Sequence, residues 1–367
     1  MNAGSEHKTD AICRQIFCIV SFFLLPLVTT NAQDDTPDQE SPGRYVSLFE
    51  DDDILDVSLS LDVARFLKKE ERDQSIDGIM TIRFSATDSI DRKVTVRYRG
   101  QSRFERCRYP PARITFKNPL YEAPDSGRIK KIKLVNQCHA GSVYGDYVIK
   151  EYLVYKLYSV FTDTCFRARL IRLNINDPER KKRTITQYGI LLEPEEMLEQ
   201  RLNLLEVKAK SVSMRHMYPN LIDRIAIFHY MVSNWDWSVP GQHNIRVFTS
   251  RDPTSGGMGV PVPFDFDLTG VVNAEYAIPP PGKGIETNRD RLFLGICRSR
   301  EIYQGELMAF LEKKDVLYSL INDFPYLDKA DKRDIISFMD QFFDRLEKPR
   351  SLESMLDDLL RNCRDLQ

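Results

Sequence analysis

The sequence predicts an α+β protein in two parts, β-rich first and helical second. Apolar residues alternate with period two through most of the first half. From about residue 195 they recur at helical spacing, and a block of short strands and turns at 233–281 interrupts the helical half. The 367 residues carry 52 Lys and Arg against 54 Asp and Glu, a formal net charge of -2. That balance gives no global attraction to nucleic acid or anionic membrane, so neither is an expected partner.

The opening segment stands apart. Lys8 and Arg14 precede an apolar run at 16–28, followed by Thr30-Asn31-Ala32. This is the layout of a cleavable secretory signal, here residues 1–32. The run is shorter than the ~20 apolar residues a spanning helix needs. Neither Cys13 nor Cys18 sits at its end, where a lipid-anchoring cysteine would, and no second run of spanning length follows. The chain is therefore expected to be exported, periplasmic or extracellular, with no stable membrane anchor after cleavage. Residues 33–45, rich in Asp, Pro, Ser and Gly, read as a flexible leader.

Folded structure is expected from about Val46. Alternation marks strands at 57–61, 79–83, 94–98, 114–116 and 130–135, then an amphipathic helix at 146–161 with Val148, Tyr152 and Leu157 on one side. Strands at 169–175 and 184–192 flank a charged turn at 177–183. Helical spacing follows at 195–207, at 221–232 and in several stretches between 302 and 363. The parts are thus 46–193, β-rich, and 194–367, helical, the latter containing the insert 233–281. That order is the order of a kinase-like bilobal architecture.

Of the seven cysteines, Cys107, Cys138, Cys165, Cys297 and Cys363 lie beyond the signal segment. In an oxidising compartment five thiols permit up to two disulfides with one left over. None has the C-x2-C spacing of a structural zinc site.

The insert holds the residues that chemistry would use. It reads Asn234-Trp235-Asp236-Trp237-Ser238, then Gln242-His243-Asn244 before a strand at 245–248, then Pro263-Phe264-Asp265-Phe266-Asp267-Leu268. Asp and Asn favour turns because their side chains bond local backbone, so each alone reads as a turn residue. Together, flanked by Trp and Phe that would bury them, they point further. A charge held among aromatics is costly unless compensated, and a bound cation compensates it. Hard oxygen ligands of this kind suit magnesium or manganese.

Asn234-Trp235-Asp236, His243-Asn244 and Phe264-Asp265-Phe266-Asp267-Leu268 resemble the signature segments of the spore-coat CotH kinase family. The likeness extends through Arg99-Gly100-Gln101-Ser102, the helix entered at Asp146 and the strand at 188–193, and so covers roughly residues 95–275. A branch of exported bacterial proteins resembles the chain further, at Cys107, the strand at 131–135, Cys138 and Val271-Val272-Asn273-Ala274. The resemblance implies an atypical protein-kinase-like bilobal fold, with a β-rich first lobe and a helical second lobe, and a Cys107–Cys138 disulfide.

It also implies transfer of a phosphoryl group from a nucleotide, ATP, to a hydroxyl of an unidentified protein acceptor. In such a transfer Asp236 would orient the acceptor hydroxyl and accept its proton. Asn244 and Asp265 would hold the cation, with Asp267 available for a second one. His243 reads as a hydrogen-bonding neighbour of the ligands rather than a ligand. Lys133, with Glu151 as its acidic partner, is the expected phosphate contact, and Arg99, Arg113 and Lys150 are further candidates. The plainer reading of Lys133 is one more solvated lysine in the basic run 128–133.

The chain departs from the pattern in three places. The β-rich half has no Gly-rich phosphate loop, and the interval from Asp236 to Asn244 exceeds that of ordinary protein kinases. Pro110-Pro111-Ala112-Arg113-Ile114-Thr115 stands where CotH kinases carry lysines. These departures favour a second class, a non-catalytic envelope or surface binding protein that keeps the fold. A third class is a metal-dependent hydrolase or transferase in which Asp236 activates water and Asp265 holds metal. No G-x-S-x-G elbow, H-E-x-x-H helix or G-x-G-x-x-G turn is present, and the five histidines have no ligand spacing.

Overall fold

Alternating sequence in the first half becomes strands that bury one face. In the computed structural model, which describes residues 45–100, 102–122, 128–179 and 184–365, these strands are β1 (Tyr45–Val46), β2 (Leu55–Leu61), β3 (Ile76–Arg83), β4 (Ser89–Tyr98), β5 (Ala112–Glu122), β6 (Arg128–Asn136), β7 (Ala168–Asn176) and β8 (Thr184–Leu192). The expected signal 1–32 and leader residues 33–44 lie outside the described residues. β2 shows the rule: Leu55, Val57, Leu59 and Leu61 are buried while the residues between them are half-buried. Each such Leu or Val contributes about 1.5–3 kcal/mol by leaving water.

The strands do not build the expected kinase-like bilobal fold. β2, β3, β4 and β5 are antiparallel neighbours, β5 continues to β6 with Ala112 opposite Leu134, and β6 pairs with β8 with Lys133 opposite Leu192. β8 pairs antiparallel with β7, and β7 returns to β2 in parallel, Leu55 opposite Ile171. Seven strands therefore close a mixed barrel, and β1 adds in parallel to β5. Period-two alternation fixes which residues face inward but not which strands pair. The β5–β6 and β7–β2 pairings abolish the edges and make a barrel of what would otherwise be an open lobe sheet. The α+β class holds, and the bilobal kinase-like arrangement is replaced by this barrel with a helical part beside it.

Leu59, Val94, Ile114, Ile132 and Leu173 belong to the apolar cluster of the barrel. Two short helices, α1 (Val63–Leu67) and α2 (Ser102–Arg106), follow β2 and β4, and Asp62 caps α1 through the Arg65 N–H. α3 (Ser142–Ser159) starts four residues before the expected 146, because Gly141 at φ 122 turns the chain into it. β8 is buried on both faces toward its end because α3 packs against it. Ile190 and Leu192 join Ile149, Leu153 and Leu157 in a second apolar cluster.

That second cluster is the core of the helical part. Its elements are α4 (Glu195–Arg201), β9 (Leu204–Glu206), α5 (Pro219–Met231), β10 (Ile245–Ser250), β11 (Gly259–Pro263), α6 (Arg300–Leu311), α7 (Lys314–Asp323), α8 (Lys329–Glu347) and α9 (Pro349–Asn362). The helix expected at 195–207 stops at Arg201, since Asn203 is left-handed (φ 54) and the next three residues pair with β10 instead. β9, β10 and β11 form an antiparallel sheet. α5, with Ile222, Ile225, Ala226 and Phe228 buried, lies inside the core among residues of α3, α6 and α8.

Two disulfides form among the described residues. Cys107–Cys138, the pairing implied by the resemblance, ties the residue after α2 to the end of β6, and Cys297–Cys363 ties the chain before α6 to the end of α9. Cys165 is a buried thiol, and burial pushes its pKa up to about 11, which makes it a poor nucleophile. Among the described residues no helix is long and apolar enough to cross a membrane.

The Cys297–Cys363 bridge spans 66 residues of chain and so restricts the unfolded state strongly. Replacing both cysteines by serine is expected to lower the unfolding free energy by about 2–4 kcal/mol in urea titrations. An unchanged midpoint would show that the bridge contributes nothing.

Candidate functional site

The site begins where α5 ends. Asn234 donates its N–H to the His229 carbonyl at 2.7 Å, and its Oδ1 accepts the Asp236 N–H at 2.9 Å. Trp237 folds back onto the His229 ring, with centroids 4.7 Å apart. A tight turn then pairs Ser238 with His243 through two backbone bonds of 3.0 and 2.9 Å, which returns the chain to Asp236. As a result both carboxylate oxygens of Asp236 are held: Oδ1 lies 2.9 Å from His243 Nε2, and Oδ2 accepts from Asn244 Nδ2 at 2.9 Å. The Asp236 side chain keeps 25% of its surface exposed, so the carboxylate is fixed and still reachable. The hydrogen bond to Asp236, with its charge, raises the His243 pKa despite partial burial.

Phe264 donates its N–H to the Asn244 carbonyl at 3.0 Å, which brings the end of β11 alongside. Phe266 is fully buried against Tyr155 of α3 and Phe228 of α5, and it anchors the turn that carries Asp265 and Asp267. Asp265 is left-handed at φ 64, and its N–H donates to Tyr155 Oη at 2.9 Å. Gly270 closes this turn. A Cβ there would meet the Phe338 ring at 2.8 Å and the Asn288 carbonyl at 2.9 Å, so only glycine fits. Ser233, Gln242, Asn244 and Asp265 all take positive φ between 46 and 64. Left-handed backbone is uncommon outside glycine, and its clustering marks a locus where geometry is held against local preference.

Arg103 of α2 reaches into this turn. Its Nη2 donates to Asp265 Oδ1 at 2.7 Å, and its Nε lies 3.5 Å from Asp267 Oδ2. Glu151, one helical turn before Tyr155 on α3, belongs to the same charge cluster: it is 1% exposed, and its Oε1 has no hydrogen-bond partner. Burial drives the carboxylates toward protonation, and neighbouring charges separate them. Asp267 is pushed up to about 7, first by burial and then by Asp265 and Asp236, with Arg103 opposing. Glu151 is raised well above the usual carboxylate range for the same reasons. Asp265, though burial favours its acid form, is held below its ordinary value by Arg103, Arg99, Lys133 and His243.

The basic candidates fall on different sides. Lys133, on β6, is 6% exposed and bonds Glu195 at the start of α4, with its ammonium 4.8 Å from the Phe264 ring centroid. Burial lowers its pKa, and Glu195 opposes. The expected Lys133–Glu151 pair does not form, because β6 aims Lys133 at α4 while α3 aims Glu151 at Arg103. Arg99 stands near Asp265, whose charge partly offsets the burial that lowers the Arg99 pKa. Lys150 points away and pairs with Asp331 of α8 at 2.6 Å. Arg113, Lys131, Lys133, Lys208, Lys210 and Arg246 outnumber the acids Glu195, Glu196 and Glu206 along a cleft of 560 Å³.

The structure therefore joins Asp236 directly to Asn244 and His243, and joins Asp265, Asp267 and Glu151 around Arg103. Arg103, Tyr155 and Glu195 were not among the sequence candidates. Arg103 directly follows the segment 99–102, and Tyr155 lies four residues after Glu151, so proximity in sequence was the available signal for both. As they stand, no three acid, histidine or cysteine side chains among the described residues form a group that holds a metal ion. The donor chemistry nonetheless suits a hard cation: carboxylate and amide oxygens, and a buried Glu151 oxygen without a hydrogen-bond partner. No protein-family model matches the chain, and no curated protein matches it.

Asp267 gives the cluster a pH signature. An ordinary Asp titrates at 3.8 and Asp267 at about 7, so between these values the folded chain binds the extra proton. The stability this contributes is complete below the ordinary value and is lost as pH rises through the folded one. His229 acts oppositely, since burial takes it from 6.5 to about 3 and its contribution is lost as pH falls. Asp267→Asn separates the two. With chelator present, its stability relative to the parent chain is expected to rise by up to about 1.4 kcal/mol per pH unit between about pH 4 and 7, then level off. Urea unfolding across that range measures it, and a difference independent of pH would mean that Asp267 titrates normally.

Proposed function

We propose that this chain is an exported phosphotransferase that moves a phosphoryl group from a nucleotide such as ATP to a hydroxyl of a protein acceptor, with magnesium or manganese. The observation that carries the reading is the Asp236 carboxylate, fixed through both oxygens, exposed at one side, and set beside the Asp265–Asp267 turn. Asp236 would accept the acceptor's hydroxyl proton as the oxygen bonds to the terminal phosphorus and the bond to the nucleoside diphosphate breaks. His243 and Asn244 keep that carboxylate in one orientation. Asn244, Asp265 and Asp267 would hold the cation, which when bound neutralises charge on the phosphates. The basic cleft beside Lys133 offers complementary charge to a polyphosphate. The likeness of segments 234–236, 243–244 and 264–268 to CotH kinases supports the same chemistry on the barrel fold described above. Two disulfides accord with an oxidising compartment outside the cytoplasm.

One observation favours a second reading. Arg103 already compensates Asp265, as it would in a binding protein that kept the charged turn and lost catalysis. Nucleotide and manganese together distinguish the readings. The phosphotransferase is expected to show a thermal shift with both, and incorporation of labelled phosphate into protein. Asp236→Asn is expected to lower that incorporation at least about 100-fold while nucleotide still binds. Asp265→Ala is expected to lose the metal-dependent part of nucleotide binding. Absence of both shift and transfer would sink the reading, and binding without transfer would favour the non-catalytic one.

A further inference from the structure

We infer that Arg103 is a tethered counter-cation that competes with the divalent ion for the Asp265–Asp267 turn and yields it when nucleotide phosphates take up the guanidinium. This rests on the phosphotransferase reading and adds to it that cation and nucleotide load together, through a residue outside the insert.

The geometry points to Arg103 for three reasons. Its guanidinium sits on Asp265 Oδ1 at 2.7 Å with Nε 3.5 Å from Asp267 Oδ2, so it engages both acids assigned to the cation. Two positive groups cannot share those oxygens at close range without strong repulsion, so one excludes the other. Next, the side chain is only 12% exposed, so it occupies the interior of the turn where a cation would sit. Glu151 Oε1 remains buried without a hydrogen-bond partner beside it. A divalent cation takes six or more oxygen ligands, so it can draw in an acceptor that one guanidinium leaves unbonded.

The third reason is the tether. Arg103 lies on the short α2, the Cys107 N–H donates to its carbonyl at 3.0 Å, and Cys107 is covalently bound to Cys138 at the end of β6. The backbone is thereby held next to the site while the side chain retains its rotatable bonds. A planar guanidinium matches phosphate oxygens as well as carboxylates, which gives the displaced Arg103 a partner only when nucleotide is present.

Isothermal titration with manganese chloride tests this without turnover, alone and in the presence of a non-hydrolysable ATP analogue. The parent chain is expected to bind manganese weakly alone and at least tenfold more tightly with the analogue. Arg103→Gln is expected to bind manganese alone at least tenfold more tightly than the parent chain, with the analogue adding little. Its melting temperature should fall in chelator and recover with manganese, and Asp265→Asn in the same background should abolish the binding. Should Arg103→Gln fail to fold, Arg103→Lys, which keeps the charge and loses the planar fork, is expected to show weakened coupling. Parent chain that binds manganese with the analogue, beside an Arg103→Gln affinity no tighter than its own, overturns the inference alone. Parent chain that binds no manganese under either condition overturns the phosphotransferase reading and this inference with it.

Discussion

Arg103, Asp265 and Asp267 meet where the barrel and the helical core adjoin, and much of the site's arrangement follows from that contact. Arg103 comes from α2, which follows a barrel strand, and the two acids come from the turn after β11 in the other core. Taking such charges out of water costs several kcal/mol per ion before their attraction is counted, and a well-packed apolar substitute is often no less stable. Stability alone therefore does not account for a buried arginine among three carboxylates. Its neighbours show the strain of the arrangement: Asp267 and Glu151 are driven toward protonation while Asp265 stays ionised. Similar groups pushed to different protonation states by one environment are the usual mark of a site organised for charge.

α3 makes this arrangement rigid. One side of the helix covers β8, so the barrel is screened from water where α3 lies, and the same helix contributes Glu151 and Tyr155 to the cluster. The Tyr155 hydroxyl accepts the Asp265 N–H and so stabilises a left-handed residue that an open loop would not hold. Phe266 fills the space between Tyr155, Phe228 and His229, locking the turn by packing. The positions of the acids are thus set by aromatic contacts in the core, and their ionisation by burial together with Arg103 and the other charges around it.

What the sequence disclosed and what it hid differ in range. Strands expected at 57–61, 79–83 and 184–192 were legible because alternation is local, though the first two begin two and three residues earlier, and Asp236, Asn244, Asp265 and Asp267 stood out as candidates because each lies in a short polar segment between aromatics. The closure of the barrel was not, since the parallel pairing of Leu55 with Ile171 leaves no periodic trace in either strand. Lys133, expected as a phosphate contact or else as one more solvated lysine of its basic run, is buried instead, and its partner is Glu195 rather than Glu151. Which acid a strand lysine meets depends on the twist and register of the sheet, which the residues flanking it do not encode.

The disulfide near α2 gives the site its remaining constraint. Cys107–Cys138 fastens the chain one helical turn beyond Arg103, so the backbone that carries the arginine is held beside the site. With Arg103 in place the acidic turn keeps a partner for Asp265 and Asp267. Under the reading proposed above, an oxidising compartment would permit the bridge and so keep this counter-charge in position.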